Sequence, residues 1–242
     1  MRIPRVYVPL ALSSGADISL PETQAHYLTR VLRMEAGRPL IVFNGQGGSF
    51  AAEIMQAGKN NCVVSLGEFT AENNQSPLQC SLAIGISKGD RFDYVLQKAC
   101  ELGASEIYPL FTSRTEVRLD AARQNKKTEH WQQVLISSCE QNGRNLVPVL
   151  HAPQTLSEFL PTVSSDLKLV LHHRANQALN SYATPQSVCL LIGPEGGLSE
   201  EEIHYAEQQG FNPLVLGPRI LRTETAPLVA LSLVQYQWGD LG

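Results

Sequence analysis

The stretch Leu191-Ile192-Gly193-Pro194-Glu195-Gly196-Gly197-Leu198-Ser199-Glu200-Glu201-Glu202 decides how this chain is read. Val188 to Ile192 is a continuous apolar run of strand length, and the glycine-rich turn follows it at once. Ser199, with Glu202 three residues on, is the signature of a capping box, so a helix over Ser199 to Gln209 is predicted. Strand, glycine turn and helix form the unit from which parallel sheets are built. Their ligands gather at the carboxyl ends of the strands, where glycine lets a backbone come close. The stretch therefore predicts a ligand loop in an α/β fold. Taken alone, it is also the sequence of a tight connection that needs glycine only to turn.

Working outward, Leu216-Gly217-Pro218-Arg219-Ile220-Leu221-Arg222-Thr223-Glu224-Thr225-Ala226 repeats the design about twenty residues later. A short strand over Leu214 to Leu216 meets a glycine turn and then a helix from about Glu224 to Trp238. Thr223 or Thr225 is placed to cap that helix, and Pro227 falls in its first turn, where a missing N–H does no harm. Arg222 and Glu224 then stand at a helix mouth beside the first loop. The alternative is an exposed ion pair of little consequence. Two adjacent glycine loops favour a functional reading.

The region from Leu78 onward alternates in texture. Leu78 to Ile86 and Ile107 to Phe111 read as strands, with a helix between them on which Phe92, Val95, Leu96, Ala99 and Leu102 share one face. Asp90 is its expected cap and Gly103 its end. A helix over Lys126 to Asn142 and a strand over Leu167 to Leu171 complete the pattern. Near-continuous apolar strands separated by amphipathic helices indicate a parallel sheet covered on both faces. Before this region, Leu40 to Phe43, Ser49 to Met55 and Asn61 to Phe69 read as strands, with a helix from about Glu22 to Leu32. Asn44-Gly45 marks a hairpin because both residues tolerate positive φ. The polar run Thr70 to Pro77 reads as a linker, so the chain is expected to divide into a β-rich domain over residues 1–72 and an α/β domain over 73–242.

Composition narrows the ligand. A net charge of −4 excludes indiscriminate coating of nucleic acid, so any RNA contact has to be local. Basic residues do gather at Arg2 and Arg5, at Arg30 and Arg33, and over Arg114, Arg118, Arg123, Lys126 and Lys127, although such charges are commonly solvated faces. No lysine follows Gly193 to Gly197, and the glutamates at 200–202 would repel a polyphosphate, which disfavours a nucleoside triphosphate. A cationic or neutral nucleoside suits this acidic setting better. Gly45-Gln46-Gly47-Gly48 does not complete a dinucleotide fingerprint, because Phe50 holds its last position.

Six histidines in no ligand spacing, and five scattered cysteines without a C-x-x-C pair, predict no metal site and small, buried, reduced thiols. No serine sits in a nucleophile elbow. Tyr94, Trp131 and Trp238 fall at helical spacing among apolar residues, which makes them core or interface side chains. No run is long enough to cross a bilayer, and no secretory signal leads the chain, so a cytoplasmic protein is expected.

The two glycine stretches, in that order and at that spacing, resemble the signature of the bacterial 16S ribosomal RNA uridine-N3 methyltransferases of the SPOUT superfamily. Arg2-Ile3-Pro4-Arg5 with Tyr7, Arg30-Val31-Leu32-Arg33, Lys88-Gly89-Asp90-Arg91-Phe92-Asp93-Tyr94, Gln97-Lys98, Glu101-Leu102-Gly103 and Glu140-Gln141-Asn142-Gly143-Arg144 are similar to that family's landmarks. The resemblance implies a small PUA-like β-barrel and a C-terminal parallel sheet whose last segment is threaded into a trefoil knot, which pattern arguments would not have predicted. It also implies a homodimer whose cofactor cleft is completed by the second subunit.

The cofactor it implies is S-adenosyl-L-methionine, held by three segments: Leu171 and His172, running on into His173 and Arg174; Ile192, Gly193, Pro194, Glu195, Gly196 and Gly197; and Leu216, Gly217, Ile220, Leu221, Arg222, Thr223, Thr225 and Ala226. The implied substrate is a specific uridine of 16S ribosomal RNA within the assembled small ribosomal subunit. Uridine N3 is a weak nucleophile until it loses its proton, so a fixed cation beside the cofactor would stabilise the imide anion. Arg222 is the candidate for that role or for holding the target phosphate, with Glu224 orienting it or assisting deprotonation. Arg2, Arg5, Arg30 and Arg33, with Lys88, Arg114 and Arg144 near the cleft, are the candidate RNA contacts. Rival expectations are an enzyme of the same superfamily acting on another RNA, and a non-catalytic RNA-binding assembly factor.

Overall fold

A computed structural model describes residues 3–58, 61–72, 74–117, 120–172 and 179–242. Arg2, Arg118, His173 and Arg174 lie outside the described residues. The chain divides into two compact units, Met1–Gln75 with Ile136–Val147, and Ser76–Leu135 with Pro148–Gly242.

The first unit is a five-stranded sheet in which β1 (Arg5–Tyr7) runs parallel to β3 (Pro39–Phe43). Antiparallel to β3 lies β4 (Ser49–Ala57), which pairs in turn with β5 (Cys62–Thr70), and β2 (Asp17–Ser19) lies along β5. The hairpin expected at Asn44-Gly45 joins β3 to β4, with Gly45 at φ 78 and the Asn44 Oδ1 accepting the Gln46 N–H at 3.2 Å. Register shifts at Phe50/Ala52 and Ile54/Gln56 bend the long β4–β5 ladder. Alternate residues of these strands point inward, so Val6, Leu40, Val42, Ile54, Val64 and Leu66 make one core with Leu28.

Leu28 comes from the helix expected over Glu22 to Leu32, which is an α-helix, α1 (Glu22–His26), continued as a π-helical turn over Tyr27–Val31. The Ile136–Val147 segment supplies Glu140, whose Oε1 accepts the Tyr7 N–H at 2.9 Å. Burial pushes that carboxyl above its ordinary value, against the opposing pull of the Tyr7 amide and the Arg5 charge.

The second unit is a parallel sheet. Its strands are β6 (Gln79–Gly85), β7 (Glu106–Phe111), β8 (Val149–Leu150), β9 (Gln154–Thr155), β10 (Leu167–Leu171), β11 (Ser187–Ile192) and β12 (Asn212–Leu214), and its helices are α2 (Asp90–Glu101), α4 (Leu156–Phe159), α5 (Glu200–Gln208), α6 (Ala226–Trp238) and the part of α3 (Ala121–Asn142) up to Leu135, the rest of α3 belonging to the first unit. The strand order is β12-β10-β11-β6-β7-β8, with β9 also on β7. From β6 the chain moves outward to β7; from β11 it moves the opposite way, to β12 beyond β10. The neighbours β6 and β11 therefore form the topological switch point, the place where open α/β sheets bind ligands. Both strands are almost wholly buried, as their near-continuous apolar runs predict.

Several boundaries differ from expectation. Asp90 does not cap α2: Gly89, at φ 61, occupies the N-cap, and Asp90 is the first helical residue. The turn out of β6 needs a left-handed residue at that point, and glycine takes it at least cost. Helix α3 starts at Ala121 rather than Lys126, because the Asp120 carboxylate accepts the Arg123 N–H at 2.8 Å and sets the start ahead of the apolar pattern. The last strand is Asn212–Leu214, not Leu214 to Leu216, since its partner β10 ends at Leu171, which is in register with Leu214. Helix α6 begins at Ala226 rather than Glu224, without a side-chain cap from Thr225.

Of the aromatic residues, Trp131 is core, 4.6 Å from the Phe92 ring, whereas Tyr94 is exposed. All five cysteines are free and buried, and burial pushes the Cys80 thiol up to about 12. Among the described residues, no helix is long and apolar enough to cross a membrane, and no group of three or more His, Cys, Asp or Glu could hold a metal ion.

Candidate active site

At the switch point the strand ends are level, with Ile84 of β6 opposite Ile192 of β11. The chain leaves β11 as Gly193-Pro194, packed flat against the end of β6. A Cβ on Gly85 would lie 2.4 Å from Pro194 Cδ, and one on Gly193 would lie 2.6 Å from the Gly197 carbonyl carbon. Neither position has room for a side chain. A turn closed by the Gly197 N–H on the Pro194 oxygen at 2.8 Å then hands the chain to α5. The capping box read from Ser199 and Glu202 is present in both directions.

Three neighbouring segments brace this turn. From the β6–α2 connection and the first turn of α2, the Lys88 N–H and the Arg91 guanidinium donate to the Glu195 carboxylate at 3.0 and 3.2 Å. From the β7–α3 connection, Ser113 donates its N–H and its hydroxyl to the Glu202 carboxylate at 2.7 and 3.0 Å, and Arg114 donates to the Gly196 oxygen at 2.8 Å. From the segment after β12, the buried Thr223 hydroxyl donates to the Gly193 oxygen at 3.3 Å and lies 3.3 Å from the buried Ser87 hydroxyl. Glu202 thus holds the helix cap and a second loop with one carboxylate, because each of its oxygens has more than one acceptor direction.

Charge at the site is mixed. Hydrogen bonding to Lys88, reinforced by its charge, holds the Glu116 carboxyl below its ordinary value. A backbone hydrogen bond at the start of α5, with help from the Ser199 hydroxyl and the Arg114 charge, does the same for Glu201.

The third predicted segment also lies at the strand ends. Leu171 closes β10, and the His172 N–H donates to the Leu214 oxygen at 3.0 Å. Ile192, Gly193, Leu216 and Gly217 stand at or beyond the ends of β11 and β12. Glu195, expected beside the cofactor, turns its carboxylate to Lys88 and Arg91, and Thr223 links segments rather than capping α6. Leu221 is half-buried, Ile220 is 97% exposed, and Arg222 is exposed. Arg222 and Glu224 form no ion pair with one another.

The predicted RNA contacts separate into groups. Arg30 and Arg33 are exposed. Lys88 pairs with Glu116 and Arg114 with the glycine turn. Arg5 donates to the Asn145 side chain and lies 5.1 Å over the Phe43 ring. Arg144 is only 5% exposed, so it is a buried side chain of the first unit rather than an open cation. Ser87, Arg91 and Ser113 were not anticipated as site residues. Ser87 stands in the polar turn directly after a buried strand, and Arg91 in the landmark stretch Lys88 to Tyr94, and those were the signals that could have indicated them.

Comparison with known proteins agrees with this architecture. Residues 74–235 match the family model of an RNA methyltransferase domain, and residues 20–67 match that of an RNA methyltransferase PUA domain. The chain is 36% identical to the ribosomal RNA small subunit methyltransferase E of Buchnera aphidicola subsp. Schizaphis graminum, covering 99% of this chain and 98% of that one. It is 32% identical to the protein of that name from Bacillus subtilis, over 93% and 92% of the two chains.

Among solved structures, a Legionella pneumophila protein in complex with the bound cofactor SAM superimposes with a TM-score of 0.97, at 41% identity and over the whole of both chains. A ribosomal RNA small subunit methyltransferase E from Neisseria gonorrhoeae bound to S-adenosyl methionine superimposes with a TM-score of 0.94, at 35% identity and again over the whole of both chains. An α/β unit with a parallel sheet, following a PUA-like unit in the sequence and matched along nearly its full length, places this chain in the ribosomal RNA small subunit methyltransferase E family.

Proposed function

We propose that this chain is an enzyme that transfers the methyl group of S-adenosyl-L-methionine to N3 of a uridine in 16S ribosomal RNA. The observation that carries the reading is the braced glycine turn at the switch point of the sheet, with an exposed arginine, Arg222, on the neighbouring strand-end segment. The residues suit a nucleoside cofactor. An added Cβ at Gly197 or Gly217 would meet nothing within 4 Å, so bare backbone faces open space there. Backbone groups and the Thr223 hydroxyl offer neutral partners, and no lysine follows Gly193 to Gly197 in the sequence as a polyphosphate-gripping loop requires. Leu171, His172, Ile192, Gly193 to Gly197, Leu216, Gly217, Ile220, Leu221, Thr223, Thr225 and Ala226 are the proposed cofactor contacts.

S-adenosyl-L-methionine supplies an electrophilic methyl group on a cationic sulfur. The chain's own work is to align the acceptor nitrogen, exclude water and stabilise the charge left on the uracil ring. Arg222, with no hydrogen-bond or ion-pair partner for its side chain among the described residues, is available to steady that imide anion or the target phosphate. Glu224, two residues on and half-buried, does not touch Arg222 here and is the group available to take up the N3 proton.

In this reading residues 1–72 form the RNA-binding domain and 73–242 the catalytic domain, with the segment after β12 threaded as a trefoil knot. The enzyme works in the cytoplasm as a homodimer on the assembled small subunit. Exposed apolar side chains support the dimer, notably Ile220 beside the site and Leu233, Tyr236 (67% exposed) and Leu241 on or after α6.

The test is incubation with methyl-labelled S-adenosylmethionine and unmodified small ribosomal subunits, followed by digestion and mass spectrometry of the nucleosides. Labelled 3-methyluridine is expected. A different methylated nucleoside would keep the reaction class and overturn the position. No label, despite demonstrated cofactor binding, would favour a non-catalytic assembly factor.

A further inference from the structure

Two polar side chains at the site are shut away from solvent: Ser87 is 4% and Thr223 7% exposed. A hydroxyl out of water has to find its partners within the protein. Among the described residues the Ser87 hydroxyl has one, the Thr223 hydroxyl at 3.3 Å. Each hydroxyl carries a single proton, and that of Thr223 goes to the Gly193 oxygen. The contact between them therefore uses the proton of Ser87. Two bonds then run in one direction, from Ser87 to Thr223 and from Thr223 to Gly193, and each polarises the next.

The two hydroxyls are anchored differently. Ser87 stands on a fixed post, because the Ile86 N–H before it donates to the Leu110 oxygen of β7 at 3.0 Å and the Lys88 N–H after it donates to the Glu195 carboxylate at 3.0 Å. Thr223 belongs to the looser segment. It lies inside a turn whose first residue, Arg222, accepts the Thr225 and Ala226 N–H groups on its carbonyl oxygen, each at 2.9 Å. Among the described residues no other side chain of 215–225 makes a hydrogen bond. The Thr223 hydroxyl therefore fixes where that turn stands, and with it the backbone from which the exposed Arg222 side chain reaches out.

We infer that Ser87 is a positioning residue for methyl transfer, acting through Thr223 on Arg222. Without the Ser87 proton, Thr223 is free to turn its own away from Gly193, and the turn that carries Arg222 drifts from the glycine turn. A charge that has to meet a developing anion is sensitive to such drift, since about 1 Å of misplacement can cost roughly a hundredfold in rate. The inference rests on the proposed methyl transfer, with Arg222 as its cation, and adds the device that holds the cation in place.

The test is steady-state methylation of small ribosomal subunits by the full chain with labelled S-adenosylmethionine, with melting curves alongside. Ser87→Ala should lower kcat about tenfold, with KM for both substrates little changed and the melting temperature down by roughly 2–4 °C. Ser87→Cys, which keeps the shape and donates only weakly, should fall between the two, and it carries the test if the alanine variant is poorly folded. In the Arg222→Ala protein, Ser87→Ala should cost nothing further in kcat, because the group it acts through is already gone. Wild-type kcat in Ser87→Ala, losses that multiply in the double variant, or a raised KM for S-adenosylmethionine with kcat unchanged would overturn the positioning role alone. Wild-type turnover in Arg222→Ala would overturn both the role of Arg222 and the device that serves it. A wild-type protein that labels no uridine would overturn the methyl-transfer reading itself.

Discussion

The turn at Gly193–Gly197 and the segment Leu216–Ala226 leave neighbouring regions of one sheet and are held in opposite ways. The first is braced from three sides, through Glu195, Glu202 and the backbone oxygens of Gly193 and Gly196. The second is tied through Thr223, while its Arg219, Ile220 and Arg222 stand exposed and its helix begins without a side-chain cap. A wall that must hold a ligand in one place gains from satisfied hydrogen bonds. A segment that must meet a substrate, or a second subunit, keeps its reactive and apolar groups unengaged. Under the proposed function, positioning falls to the first loop and chemistry to the second.

The largest effect that would sharpen this contrast is expected from the open segment. Arg222→Ala should lower methyl transfer by roughly 10²–10³-fold with cofactor affinity little changed, the order found when one charge-stabilising donor is removed. Wild-type turnover in that variant would break the assignment. Next comes the rigid turn. Gly193→Ala forces a Cβ to within 2.6 Å of the Gly197 backbone, so calorimetry should show weakened cofactor binding and thermal melts a loss of about 1–3 kcal/mol. A variant as stable as wild type would mean that the turn yields more easily than its contacts suggest.

The smallest effect compares the two helix starts directly. Ser199→Ala removes a working cap and should cost about 1 kcal/mol, a fall of roughly 2–4 °C in melting temperature. Thr225→Ala should change stability by less than about 0.5 kcal/mol, because its hydroxyl caps nothing. Equal losses at the two sites would erase the difference between the loops.

Much of this was legible in the residues. The Ser199–Glu202 capping box is local in sequence, its partners one helical turn apart, and it is found as expected. The parallel sheet followed from near-continuous apolar runs of the kind that burial on both faces explains. Reading by local pattern failed where a partner distant in sequence intervened. Thr223 looked like a cap but bonds to Gly193, thirty residues earlier. The Glu195 carboxylate, expected to face a ligand, also accepts from Lys88 and Arg91, more than a hundred residues earlier, which no local pattern indicates. Arg144 looked like an RNA contact but is buried.

By itself, the sequence determined the longer elements, the two glycine turns and the family signature, because each depends on side-chain periodicity or on backbone chemistry within a few residues; the short β2, β8, β9 and α4 carried no such pattern. Tertiary structure alone decided that β6 and β11 are neighbours, that three loops converge on one turn, and that the Ser87 and Thr223 hydroxyls meet. Those facts depend on which distant strand ends lie side by side, and hydrophobic burial, which drives the strands together, depends on area and carries no direction of its own.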